Sequence, residues 1–148
     1  MIDVLEDDED HILIIKFPFS QQGFGYSLDG KKPPIVSKLN VNSGKQKTVE
    51  RLKFKNARPL TDKKGEIRFV SYQTEEGLTK SAYRSNKKAD WQPLSDAFEL
   101  DDDLSVVGLN DAGNAVFLYG PHGEEGFRTV FRFDFEANIY EPLFTNLD

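Results

Sequence analysis

Two histidines, two acidic pairs, an acidic triplet, a strip of cations and a single tryptophan are the features of this 148-residue chain that could do chemistry. His11 stands between the acidic run 6–10 and the apolar run Ile12-Leu13-Ile14-Ile15. A general base needs a nucleophile within about 2.6–3.2 Å. The sequence offers no sign of one, so the expected role of His11 is structural, at a strand start beside carboxylates. His122 lies in Gly120-Pro121-His122-Gly123-Glu124-Glu125-Gly126, which joins an imidazole to two carboxylates. A metal would want two or three further well-placed ligands, and the segment reads as a solvated hairpin loop.

Glu75-Glu76 and Glu124-Glu125 are each followed closely by glycine and could hold a cation, but acidic loops are expected on a chain of net charge -6. Asp101-Asp102-Asp103 lacks the alternation, glycine and flanking helices of an EF-hand calcium loop. Between positions 45 and 64, eight Lys or Arg meet only Glu50 and Asp62. Arg51, Lys53 and Lys55 alternate with Leu52 and Phe54, which on a strand puts three cations on one face. A nucleic-acid strip would need stacking aromatics there, so edge protection or a contact with a partner domain is expected instead. Trp91, which follows Asp90, is expected to pack in the core. No residue is assigned a catalytic, cofactor-binding or metal-binding role.

Composition limits what can position these groups. With 38% hydrophobic and 12% aromatic residues, the chain has the makings of a single β domain, 1–148, with a real core. Charged residues make up 30%, and no apolar run approaches the roughly 20 residues of a membrane-spanning helix. Neither a membrane nor nucleic acid is expected as a partner, the latter because the net charge is -6. The absence of cysteine excludes disulfides, a thiolate nucleophile and a cysteine zinc site. Met1-Ile2-Asp3 runs into acidic residues where an export signal would be basic and then apolar, so no such signal is visible and the compartment stays open.

Twelve Phe and five Tyr, in short apolar or alternating runs between Gly, Asn and Asp, predict an all-β chain. The longest helical candidate, 87–98, is interrupted by Trp91-Gln92-Pro93, and an interior proline costs about 3 kcal/mol. The same order of signals recurs near 1–50, 55–95 and 104–145, each copy a four-stranded meander. In the first copy a long loop separates Ile12-Leu13-Ile14-Ile15 from Val36-Ser37-Lys38-Leu39-Asn40-Val41. The anchors Leu5, Leu60 and Leu109 lie 55 and 49 residues apart, the range of propeller blades. A two-sheet β-sandwich of about twelve strands is the competing architecture. Three blades do not close a ring, so open faces drawing on Phe17, Phe54, Phe69, Phe117, Phe131 and Phe133 are expected to meet further blades or to drive self-association.

The ordered signals resemble the N-terminal β-propeller of bacterial serine peptidases of the prolyl oligopeptidase family. The residues that carry the resemblance begin with Asp7-Asp8-Glu9-Asp10-His11-Ile12-Leu13-Ile14 and Lys38-Leu39-Asn40-Val41-Asn42-Ser43-Gly44-Lys45. Thr61-Asp62-Lys63-Lys64-Gly65-Glu66-Ile67-Arg68 follows as a D-x-x-G-x-x-R turn, with Tyr83-Arg84 and Asp90-Trp91-Gln92-Pro93-Leu94 behind it. The family's triad sits on a separate α/β-hydrolase domain that opens with a G-x-S-x-G elbow. Here the nearest approach, Gly25-Tyr26-Ser27-Leu28-Asp29-Gly30, has its last glycine one residue late. The resemblance therefore implies a non-catalytic propeller portion without cofactors, packed against further blades and a hydrolase domain and restricting access to substrate. In some relatives an acidic pair captures a substrate amino terminus; the surroundings of Glu75-Glu76 and Glu124-Glu125 do not match that motif. The alternative is a free-standing β-rich binding module for a peptide or glycan.

Overall fold

The computed structural model describes residues 3–94, 104–122 and 127–143. They form fourteen strands: β1 Asp3–Val4, β2 His11–Lys16, β3 Phe19–Gln22, β4 Gly25–Leu28, β5 Ile35–Asn40, β6 Gln46–Arg51, β7 Arg58–Thr61, β8 Ile67–Gln73, β9 Thr79–Tyr83, β10 Gln92–Pro93, β11 Ser105–Leu109, β12 Ala115–His122, β13 Phe127–Asp134 and β14 Ile139–Pro142. Three four-stranded sheets take the orders β1-β2-β5-β6, β7-β8-β9-β10 and β11-β12-β13-β14, and β3 and β4 pair as a separate hairpin. The chain is all-β. No α-helix occurs among the described residues; 95–98 of the helical candidate lie outside them. Nothing in the described chain is a helix long and apolar enough to cross a membrane.

Two sequence expectations are corrected. The long loop of the first copy contains the β3–β4 hairpin, because Gly23 takes φ +61° in the two-residue turn between Gln22 and Gly25, the left-handed conformation such hairpins favour. The alternating cations do not share a strand face: β6 ends at Arg51, Leu52 is buried outside any strand, and 53–56 are bend and turn.

Contacts divide the chain into two compact units, Met1–Pro59 with Ser71–Thr79, and Leu60–Val70 with Lys80–Asp148. In the first, Leu5, Leu13, Pro34, Val36, Leu52 and Ala57 are buried. The antiparallel register sets Leu13 opposite Lys38 and Ile15 opposite Val36, so one face is apolar at one end and basic at the other. Phe54 stacks on Tyr72 at 4.4 Å between centroids.

The second unit is built on aromatic packing. Register pairs Val116 with Phe133 and Leu118 with Phe131, which puts all four on one face of the third sheet. That face packs with Phe69, Tyr83, Leu94 and Phe135 into one buried cluster. Each fully buried ring contributes about 1.5–3 kcal/mol. Tyr83 lies edge-on to Phe133 at 4.9 Å and stacks on Phe135 at 5.0 Å, while its Oη donates to Asn138 Oδ1 at 2.8 Å. Phe69, Phe131 and Phe133 are 0% exposed and therefore form no open face. Phe17, Phe54 and Phe117 are half-buried.

The tight turns repeat a side-chain device. At the first hairpin of the second sheet, Asp62 Oδ1 accepts from the N–H of Lys64 and Glu66. At the equivalent hairpin of the third, Asn110 Oδ1 accepts from Asn114 and Ala115. In both, the glycine three residues on, Gly65 or Gly113, has positive φ and donates to the Asp62 or Asn110 carbonyl. Between third and fourth strands, Asn40, Asn86 and Asp134 each accept at Oδ1 from the N–H two and three residues on. Such Asx caps satisfy turn donors that the ladders leave free.

A Cβ on Gly113 would fall against Asp62 Cβ well inside contact distance, and φ there is +67°. Gly113→Ala should therefore cost about 2–4 kcal/mol by strain and overpacking together. Gly77→Ala, at φ +85° in open space, should cost only about 1 kcal/mol. Denaturant titration of both variants checks this, and equal losses would contradict the close approach.

Candidate functional site

The groups that could do chemistry converge most closely on the first sheet. A shallow depression of about 220 Å³ is lined by His11, Lys38, Asn40, Ser43, Lys45, Gln46 and Lys47. Register places His11 opposite Asn40 and Lys38 opposite Lys47, on adjoining strands of one sheet. His11 Nδ1 meets Asp8 Oδ1 at 2.7 Å, and Lys38 Nζ pairs with the other oxygen of the same carboxylate. The Asp8 carboxyl is held below the ordinary Asp range, first by its bond to Lys38 and then by its bond to His11.

Hydrogen-bond logic fixes the protons. Asn40 Oδ1 accepts from Ser43 Oγ at 2.8 Å as well as from the N–H of Asn42 and Ser43, so the amide turns its Nδ2 toward His11 Nε2 at 3.3 Å. An NH₂ can only donate, so Nε2 accepts and the imidazole carries its proton on Nδ1, directed at Asp8. The line Asp8, His11, Asn40, Ser43 has the residue types of a hydrolytic triad with an amide inserted. Asn40 occupies the imidazole lone pair and takes the serine proton, so this cluster lacks the base-to-nucleophile bond that activation needs. His11 instead ties the β1–β2 turn to the β5–β6 turn. Asn40 was not singled out in the sequence; its signal was Asn40-Val41-Asn42-Ser43-Gly44, an Asx turn ending on glycine.

Electrostatically the depression is basic. Two lysines directly opposed on a sheet repel, and Asp8 relieves only Lys38. Lys45 and Lys47 carry no ion pair among the described residues, which leaves the depression able to hold an anion. No three His, Asp or Glu side chains converge as a metal site among the described residues.

None of the other described candidates lines it. Glu75 is bound to Lys55 at 2.7 Å, which holds its carboxyl below the usual range, and Glu76 accepts from Thr74. The side chain of His122, together with Glu124, Glu125 and Asp101 to Asp103, lies outside the described residues. Trp91 is half-buried and stands outside the core cluster. The Arg84 guanidinium lies 4.4 Å over its ring while Arg84 Nε donates to the Ile67 carbonyl. The expectation of core packing is corrected accordingly: an indole needs one open face to take a cation, and Arg84 covers it. The D-x-x-G-x-x-R run forms a clasp in which Arg68 Nε reaches Asp62 at 2.8 Å and its Nη1 reaches the Ser85 carbonyl at 2.9 Å.

No family model and no curated protein matches this chain. Among solved structures it is similar to TolB from Acinetobacter baumannii, at 14% identity and a TM-score of 0.48, over 92% of this chain and 30% of that one. The chain thus spans under a third of that protein's length, and a likeness at this level carries no inference about fold or function.

Asp8 titrates below its unfolded value, so its stabilising effect is present above about pH 4 and is lost as pH falls through the depressed value. Asp8→Asn should therefore be less stable than the wild type at pH 7 and converge with it in strong acid. Thermal unfolding across the acid range checks this; a gap that stays constant down to pH about 2 would contradict it.

Proposed function

We propose that this chain is a non-catalytic portion of a β-propeller, three consecutive blades whose work is to pack against further blades and to shape access to a site carried elsewhere. The observation that carries the reading is that each four-stranded sheet keeps its strands side by side in chain order, the first with the β3–β4 hairpin inserted between its second and third strands, and with the same Asx cap between third and fourth strands. Sandwiches of the Greek-key kind send consecutive strands across to the opposite sheet, whereas blades keep them together. The shared core of the second unit, in which Phe69 and Tyr83 of one sheet meet Phe131 and Phe133 of the next, supports the same reading.

The finer reading is that the parent is a serine peptidase resembling the prolyl oligopeptidase family, with this portion restricting which peptides reach a separate hydrolase domain. It rests on the turn runs around Asp8-Glu9-Asp10-His11 and Asp62-Lys63-Lys64-Gly65-Glu66-Ile67-Arg68. Both serve as turn clasps, the work such runs would do in a blade. Activity would then reside outside this chain.

Val4 is 59% exposed on the face of the first sheet that also carries Ile12 and Leu39. If that face awaits another blade, the chain should self-associate as concentration rises and Val4→Asp should abolish the association. Sedimentation velocity across a concentration series measures this, and a monomer at every concentration would return the sandwich to first place. The chain should also neither cleave proline-containing chromogenic peptides nor react with a fluorophosphonate probe. Labelling at Ser27 or Ser43 would overturn the non-catalytic reading.

A further inference from the structure

The β3–β4 hairpin turns its apolar groups away from the protein. Phe19 pairs with Leu28 and Gln21 with Tyr26, so Phe19, Tyr26 and Leu28 share one face, and they are 62%, 76% and 58% exposed. Phe24 stands at the tip, fully exposed, next to the left-handed Gly23. The opposite face carries Ser20 and Ser27, both half-buried. The polar side of this hairpin therefore faces inward and its apolar side faces out, the reverse of a hairpin made for water. Clustered exposed apolar groups of this kind mark a contact surface.

Charge says what the surface meets. No acidic residue occurs from Ile12 to Leu28, Lys16, Lys31 and Lys32 flank the hairpin, and the one neighbouring acid is Asp29. Asp29 accepts from the Lys31 N–H at 3.0 Å and pairs with Lys32 at 3.3 Å, so three lysines against this one acid leave a net charge of +2 around the hairpin. A locally cationic, aromatic projection thus stands on a chain of net charge -6. Pro18 before β3 and Lys31-Lys32-Pro33 after β4 blunt both edges against strand addition, which leaves the face and tip as the offered surface.

We infer that this hairpin is a peripheral contact for an anionic lipid surface, with Phe24, Phe19, Tyr26 and Leu28 entering the headgroup boundary and Lys16, Lys31 and Lys32 at the phosphates. Aromatic rings favour that boundary, and lysines beside them add attraction to anionic lipid. A bilayer demands no matching pocket, which suits rings that stand clear of their own fold. Two copies of a like-charged hairpin would repel face to face. The absence of a membrane partner was expected from the lack of a spanning segment of about 20 residues, a criterion blind to one face of a four-residue strand pair.

The test is co-sedimentation of the whole chain with phosphatidylcholine vesicles, with and without phosphatidylglycerol. Binding should require phosphatidylglycerol and should weaken as salt rises. The double variant Phe24→Ser, Tyr26→Ser should bind at least about tenfold more weakly, and Lys31→Glu, Lys32→Glu should lose binding comparably. All four side chains are outside the core, and an unchanged circular dichroism spectrum and unfolding midpoint would show that each variant remains folded. No binding to either vesicle, or binding that the aromatic variant leaves intact, would overturn the proposal. So would sedimentation velocity in which the Phe24/Tyr26 variant loses a self-association that the wild type shows, because the face would then belong to a second copy.

Discussion

A carboxylate taken out of water must be met on every side, and Asp62, 4% exposed, sets the terms for the second unit. One oxygen accepts two turn N–H groups and the other takes Arg68. Arg68 then extends to the Ser85 carbonyl, just past the neighbouring strand β9, and to Glu66. Gly113 lies so close to Asp62 that no side chain fits. Asp62 thereby holds a hairpin closed, orients the Arg68 that binds the start of the next turn, and sets how near the first hairpin of the third sheet can come. Removing only one partner of such a pair leaves a buried charge uncompensated.

The other turns solve the same problem with smaller means. Asn110 takes the place of the carboxylate in the third sheet, and Asn40, Asn86 and Asp134 cap the later turns. At Asp134 the bond from the Ala137 N–H is the chief reason its carboxyl sits below the ordinary range. The first sheet departs from the pattern at its opening hairpin, where Asp8 bonds a histidine and a lysine in place of a glycine-closed turn. That departure is what gathers polar groups into a basic depression there.

Much of this was legible in the sequence for physical reasons. Alternation in Phe131-Arg132-Phe133-Asp134-Phe135 marks a half-buried strand, and the buried face is the one the alternation names, whereas Ala115-Val116-Phe117-Leu118 reads as a short apolar run. Turns that open on Asp or Asn and end on Gly, as in Asp62-Lys63-Lys64-Gly65 and Asn110-Asp111-Ala112-Gly113, mark the hairpins because short polar side chains cap backbone donors. What misled was alternation without a ladder: Arg51-Leu52-Lys53-Phe54-Lys55 reads as a strand, but Leu52 is drawn into the core and its N–H bonds the Pro34 carbonyl as the chain leaves the sheet. Phe19-Ser20-Gln21-Gln22 and Gly25-Tyr26-Ser27-Leu28 were passed over because strands are sought by buried apolar faces, and here the apolar face is exposed. For His11, the sequence carried the neighbouring carboxylates but not Asn40, which is 29 positions away and reaches it only through strand pairing.

On the propeller reading proposed above, the three sheets are copies of one unit, closed by the same cap between third and fourth strands. Residue-resolved hydrogen exchange at the capped amides tests it most directly, because exposed turn amides otherwise exchange at nearly free-peptide rates. Asn42 and Ser43, Lys88 and Ala89, and Glu136 and Ala137 should all be slowed, by roughly tenfold for a hydrogen bond worth about 1–1.5 kcal/mol. Protection at one pair, with the other two exchanging as free peptide, would show that the sheets share a strand order but not a common unit.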